Sequence, residues 1–354
     1  MKNTILEKLK EEAQQYLAEP AQETFIERKK KEFVIDASIE YPDPEYLIEI
    51  GGVPTLPKGN LVALSAKWKN GKTFLCDVLS AIFLGSDRFA GCRPKCPGGK
   101  VQFFDTEQAM SDTARILKTI HAMTGEQRHG DIHVYCLRNA DIDSDDDNAD
   151  AISRFDFISQ TIALDHPDLV FIDGIADLIY NYNDVIESQE VVNKLAAIAN
   201  ENNCCIVVVM HQNKGRMDRN MKGHLGTMLY QKCSDVFNVE KCGTVFIASH
   251  AVSRHNTCGD LVFKLDDDAV PVDGMADRQQ QLDIMRADEQ KKFAEQISLC
   301  MEDATVALRR SDIIKLIKER TGAGSTKAYE LFNKAVEKGV LATNDKKYYF
   351  MKTS

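Results

Sequence analysis

Gly71-Lys72-Thr73 lies between an apolar run, Leu61–Leu64, and a segment whose apolar residues Phe74, Leu75, Val78, Leu79, Ile82 and Phe83 recur at helical spacing. A polar loop, Ser65–Gly71, joins the two. Strand, loop, Gly-Lys-Thr, helix is the order of a phosphate-binding P-loop. Loop amides and the helix N-terminus point inward there and favour an anion. Ala66, Lys67, Trp68, Lys69, Asn70, Gly71, Lys72, Thr73 and Phe74 are therefore the candidate ATP-binding residues. Lys72 would set a point charge on the β- and γ-phosphates, and the Thr73 hydroxyl would ligate Mg²⁺. The pattern asks for Gly where this chain has Ala66. A methyl group fits there only if that residue keeps a negative φ.

Hydrolysis also needs a metal carboxylate, a polarised water and charge compensation on the γ-phosphate. In an α/β sheet such groups sit at the carboxyl ends of strands. Asp173 ends PDLVFID and is the second candidate Mg²⁺ residue, or else an N-cap of the next segment. Glu107 follows VQFFD and either takes a proton from water or caps the next helix. His211 and Gln212 end CCIVVVM, where a polar side chain either contacts the γ-phosphate or is ordinary loop polarity. Beyond them, Lys214, Arg216, Arg219 and Lys222 form a Gly-containing basic stretch suited to DNA phosphates without base reading, or to plain solvation.

The elements that must position these residues alternate. Strands are expected at 61–64, 101–105, 133–137, 168–173 and 204–210. Helices are expected from 74, over 112–123, through Ile152, Phe155, Ile158 and Ile162, and over 188–200. The sequence predicts a parallel sheet covered on both faces, closed by an antiparallel meander at 236–239, 245–248 and 261–265. Residues 2 to about 18 read as an amphipathic helix, Glu27–Glu32 as a charged linker, Cys92–Lys100 as a loop and Asp141–Asp150 as a solvated acidic loop. The expected domains are 1–40, an N-terminal helix and linker; 41–270, the nucleotide domain; 271–304, a polar linker followed by a helix; and 305–354, a small terminal module.

With 354 residues the chain can form one large α/β domain and a small one. No apolar run reaches membrane-span length, and the Glu- and Lys-rich start is no signal peptide. The ten cysteines lack a framework and read as reduced thiols of a cytoplasmic protein. Cys92 and Cys96 lack a second close pair to complete a zinc site and read as loop cysteines. A net charge of −10 argues against a protein coated in nucleic acid, though not against a local basic patch.

VQFFDTEQAMSD resembles the strand and catalytic Glu of RecA-like ATPases, and PDLVFID resembles their Walker B strand. CCIVVVMHQNK with Gly223-His224-Leu225-Gly226 resembles the sensor strand and DNA-side loop of the RepA-type hexameric helicases. Ser253–Phe263 resembles their late hairpin, which makes Arg254 an arginine finger, although Val252 stands where many relatives have Lys. The resemblance covers about residues 40–266. It implies a homo-oligomer, a hexamer with ATP at subunit boundaries, acting on single-stranded DNA.

The terminal module reads as a winged helix. Ser311 is expected to cap a helix carrying Ile313, Ile314 and Ile317. Ser325 would cap a second helix with Ala328, Leu331, Phe332, Ala335 and Val336 inward. A hairpin wing at 340–342 and 348–350 follows. From Leu308 onward, eleven Lys and Arg face five Asp and Glu in an otherwise acidic chain. Lys327, Lys334, Lys338, Lys346 and Lys347 are the expected contributors to a DNA face. Together these features predict a RecA-like DNA motor, a replication or mobilisation helicase of a mobile element or phage. The alternative is a non-translocating ATP-dependent regulator.

Overall fold

The computed structural model describes residues 24–125, 130–140, 152–215, 218–302, 304, 306–343 and 347–351. The helix expected at 2–18 and the acidic loop 141–150 lie outside the described residues, as do Arg216 and Lys346. The chain divides into two units, 1–44 and 45–354. In the first, Glu27–Glu32 is no linker but part of helix α1, Phe25–Phe33. Thr24 and Glu27 close a reciprocal capping box that satisfies its first amides.

The second unit is built on a nine-stranded sheet. Its strands are β3 (Asn60–Ala66), β5 (Val101–Asp105), β6 (Ile132–Cys136), β7 (Leu169–Asp173), β8 (Cys205–His211), β9 (Asp235–Cys242), β10 (Val245–Ser253), β11 (Leu261–Leu265) and β12 (Pro271–Asp273). Their order across the sheet is β12-β11-β10-β9-β3-β8-β7-β5-β6. From β9 to β6 every neighbouring pair is parallel. β10, β11 and β12 run antiparallel. The meander is thus confirmed with one correction: β9 is itself the last parallel strand, paired to β3, and the turn-back begins at β10. The sheet also runs to Asp273, three residues past the expected domain boundary.

The continuous apolar runs exist because both faces are covered. Along β3, Val62, Leu64 and Ala66 face one core with helices α2 (Lys72–Phe83) and α3 (Met110–Thr124). Leu61 and Ala63 face the other core, with α4 (Arg154–Asp165), α5 (Val185–Glu201) and α6 (Gly223–Lys232). Beside the main sheet, β1 (Tyr46–Ile50) pairs with β2 (Val53–Pro57) and with β4 (Cys92–Pro94), so part of the expected 92–100 loop is a strand. Gly51 and Gly52, at φ +58° and +84°, make the β1–β2 turn that only glycine adopts cheaply.

The segment expected as a polar linker followed by a helix, 271–304, is almost entirely helix α7, Met275–Cys300. Its first turns are tied to the meander by Lys264–Asp277 at 2.7 Å and Arg278–Asp260 at 2.6 Å. Its last turns bury Phe293, Ile297 and Cys300 in a separate core with α8 (Arg310–Thr321) and α9 (Ser325–Glu337). A small sheet, β13 (Leu308–Arg309), β15 (Tyr348–Met351) and β14 (Leu341–Thr343) in that spatial order, completes the module. The N-caps are Arg309 and Gly324, each one or two residues earlier than the serines expected to cap. Among the described residues no helix is long and apolar enough to cross a membrane.

Candidate nucleotide site

Parallel pairing brings the carboxyl ends of the central strands to one edge. Ala66 is level with His211, and Asp105 is level with Asp173. The P-loop leaves β3 at that edge. Ala66 is fully buried, lies within the strand and keeps a negative φ, which is why its methyl group is tolerated. The left-handed turn falls instead on Lys69, at φ +60°, and Gly71, at φ +80°. A Cβ on Gly71 would come within 2.5 Å of the Phe246 ring. Gly71 is therefore needed both for its dihedral and for its space.

Trp68, Lys69, Asn70, Gly71, Lys72, Thr73 and Phe74 line a cavity of about 450 Å³, together with Glu107, Asp173 and His211. Thr73 Oγ1 donates to Asp173 Oδ2 at 2.7 Å. These are the oxygen donors a Mg²⁺ ion takes. Burial raises the Asp173 carboxyl to about 6, with Glu107 and Asp105 adding to the push and the Thr73 hydrogen bond opposing it. Asp77, one turn along α2, is buried with Oδ1 lacking a partner, and burial with the nearby Asp173 charge pushes its carboxyl well up. Lys72 is held below its ordinary value by burial, opposed by Asp173 and Glu107. A buried ammonium, Lys72, beside the paired oxygens of Thr73 and Asp173 in one cavity fits a phosphate chain with its metal ion.

Lys72 Nζ lies 3.0 Å from His211 Nδ1, and His211 Nε2 lies 3.6 Å from Glu107 Oε1. An ammonium only donates, so Nδ1 accepts and the ring proton sits on Nε2, facing Glu107. The hydrogen bond from His211 outweighs burial and keeps the Glu107 carboxyl below its ordinary range. Glu107 is therefore ionised near neutrality and able to accept a proton. Asp105 fixes the turn beneath it: its carboxylate accepts from the amides of Glu107 and Gln108 at 3.1 and 3.0 Å and from Thr113 Oγ1 at 2.7 Å. A Cβ on Gly174 would lie 2.7 Å from Glu107 Oε1, so glycine there makes room for the carboxylate.

Other expected site residues lie elsewhere. Lys67 Nζ donates to Gly215 O at 2.9 Å and faces a neighbouring cavity with Lys214 and Lys222. Gln212 is turned away from the phosphate cavity; its amide donates to Ser65 Oγ at 2.9 Å in a buried network with Asn238. Arg219 pairs with Glu240 at 2.7 Å. Arg254 is exposed, and its guanidinium donates to the carbonyls of Gln231 and Lys232 at 3.3 and 2.9 Å, closing the C-terminus of α6. It does not line the cavity of its own chain. Sequence reasoning missed Asp105, whose place next to Glu107 was visible, and Lys241 and Phe246. The last two reach the cavity only through the antiparallel β9–β10 pairing, which no motif announces.

Parallel strands with a P-loop, a carboxylate ending β7 and an acid after β5 define an α/β P-loop ATPase with a mainly parallel sheet. The chain belongs to the AAA-domain family AAA_25, whose model matches residues 22–217. The match ends before Arg254 and before the terminal module. Two solved structures are similar at low identity. One, described as the crystal structure of the RadB recombinase, is 16% identical with a TM-score of 0.41, over 61% of this chain and 91% of that one. The other, described as an ATPase domain, is 13% identical with a TM-score of 0.43, over 61% of this chain and 85% of that one. No match of significance is found among curated proteins.

Proposed function

We propose that this protein is a Mg²⁺-dependent, ATP-driven motor on DNA, a helicase working as a ring of six copies. The observation that carries the proposal is the convergence of Lys72, Thr73, Glu107, Asp173 and His211 around one cavity at the carboxyl edge of the sheet. Thr73 and Asp173 would hold Mg²⁺. Bound there, the ion would neutralise charge on the phosphates and orient them. Lys72 and the amides after Gly71 bind the phosphate chain, and burial keeps water from screening them. Glu107 takes the proton of the attacking water, and His211 holds that carboxylate in place through Nε2.

DNA as the substrate is supported by two basic regions. The 213–222 segment runs directly from the sensor strand β8, and Lys67 of the P-loop is bonded to it through Gly215. Its Lys214 and Lys222, with Arg216 and Arg219, would contact phosphates. The terminal module, which we read as a winged helix, holds the second region. In a ring, Arg254 would leave the carbonyls of α6 and reach the ATP of the next copy. Purified protein should unwind a forked DNA duplex only with ATP and Mg²⁺. Its particle size should rise toward a hexamer with an ATP analogue and single-stranded DNA. ATPase activity without unwinding or translocation would leave a DNA-binding regulator as the function.

A further inference from the structure

The lysines on the helix face nominated by the sequence for DNA are exposed, and each lies against a neighbouring side chain. Lys327 Nζ pairs with Glu330 at 3.1 Å. Lys334 and Lys338 lie over the Phe293 ring, at 5.2 and 5.9 Å from its centroid, against α7. On another side of the module, β13, the first turn of α8, α9 and the start of β15 enclose a groove of about 650 Å³. Arg309, Arg310, Lys347, Tyr329 and Tyr348 line it, and among the described residues no carboxylate does. Asp312 is the nearby acid, accepting from Ser311 Oγ at 3.3 Å.

The cations and rings in this groove are ordered in pairs. Arg309 lies opposite Tyr348 in the β13–β15 register, with its guanidinium 5.8 Å from the ring centroid and Nε donating to the phenol oxygen at 3.4 Å. Arg310 lies 5.4 Å from the Tyr329 centroid and 5.3 Å from that of Phe332, and donates to Asn333 Oδ1 at 3.2 Å. Both tyrosines remain substantially exposed, at 49% and 40%. Flat guanidinium and phenol faces beside positive charge suit an unstacked base next to its phosphate. A duplex hides its base faces inside the stack, and the carboxylates of an acidic peptide carry no ring to lay on the tyrosines.

We propose that this groove is a binding site for single-stranded nucleic acid, with Arg309, Arg310 and Lys347 on phosphates and Tyr329 and Tyr348 stacking on bases. The proposal rests on the nucleic-acid half of the function proposed above and not on its ATPase half.

The test is fluorescence anisotropy of a labelled single-stranded thymidine oligomer, about 20 nucleotides long, with full-length protein at several salt concentrations. The double variant Arg309→Ala/Arg310→Gln should bind at least about tenfold more weakly. Its salt slope should fall by about 1.4, the loss of two single-strand phosphate contacts. Tyr348→Leu should weaken binding with the slope unchanged, since stacking releases no counterions. Lys347→Ala, an exposed site, repeats the charge test should the double variant fail to fold by circular dichroism. Wild-type affinity and slope in the folded groove variants overturn the groove while leaving the DNA reading standing. So does an equal loss in Lys327→Ala/Lys334→Ala. A duplex of the same length that competes as well as the single strand overturns the single-strand assignment. No binding by the wild-type protein even at low salt overturns the DNA reading itself, and the groove with it.

Discussion

Lys72, Thr73, Glu107, Asp173 and His211 find their partners in one another, at strand ends that the parallel sheet places side by side. Among the described residues, the Arg254 guanidinium finds backbone carbonyls of its own chain, at the end of α6. The first region is a pocket whose lining comes from one copy. The second has a sound structural task, offsetting the negative end of a helix, and would do chemistry only against another copy. A strand order can build the first; an assembly is needed for the second.

The largest effect should come from the pocket. Lys72→Ala should lower ATP turnover by about 10³-fold or more, because a preorganised charge on the phosphates is lost. Among the described residues its side chain hydrogen-bonds to His211, and burial already opposes its charge against the pull of Asp173 and Glu107, so the thermal midpoint should hardly move. Turnover near the wild-type rate, measured as phosphate release, would show that this cavity is not where ATP is hydrolysed.

Arg254→Ala breaks or sharpens the contrast itself. As a finger in trans it should cost about 10³-fold in turnover while ATP binding and assembly persist. Mixed with Lys72→Ala, activity should partly return, since a Lys72→Ala copy still offers its arginine to an intact pocket next door. As a helix cap alone it should cost only about 0.3–1 kcal/mol of stability. Mixing exchangeable subunits would then never lift turnover above the separate rates.

The same contrast sets what the sequence made legible. The short, mostly apolar runs Val101–Phe104, Leu169–Ile172 and Cys205–Met210 read as strands buried on both faces. Each ends near a polar residue, so the sheet and the carboxyl-edge site followed from local pattern. Gln212 looked equivalent to His211 because it is adjacent. Successive side chains leave the backbone on opposite sides, and one residue's difference sends Gln212 to Ser65 and Asn238. Lys67 was indistinguishable from its loop neighbours until the 213–222 segment came within reach. The terminal lysines looked like one positive face because periodicity marks a helix's inner stripe, not which neighbour covers the rest. Phe293, far upstream in the sequence, lies beneath the exposed ammonium groups of Lys334 and Lys338.

Glu107→Gln separates binding from chemistry within the pocket. The amide keeps the shape beside Gly174 but cannot take a proton, so turnover should fall by about 10²–10³-fold with ATP affinity kept. If affinity and turnover fall together, Glu107 holds the pocket's shape rather than receiving the proton.

The smallest effect tests the cost of completing the pocket inside one chain. Burial raises the Asp173 carboxyl from its ordinary 3.8 to about 6. Between those values the folded chain holds a proton that the unfolded chain has released. The stability from this group is therefore full below about pH 3.8 and is lost as pH rises through about 6. Asp173→Asn removes the charge and keeps an oxygen that accepts from Thr73. In nucleotide-free protein without Mg²⁺, the variant should melt about 2–4 °C above the wild type near pH 7.5, the response to roughly 1 kcal/mol. The gap should close toward pH 5, where the wild-type carboxyl is protonated. ATP with Mg²⁺ should raise the wild-type midpoint near pH 7.5 more than that of the variant, which lacks the charge the ion would take. A gap that is equal at both pH values would mean that Asp173 is not a strained carboxylate. The pocket would then carry no electrostatic cost for the nucleotide and its ion to relieve.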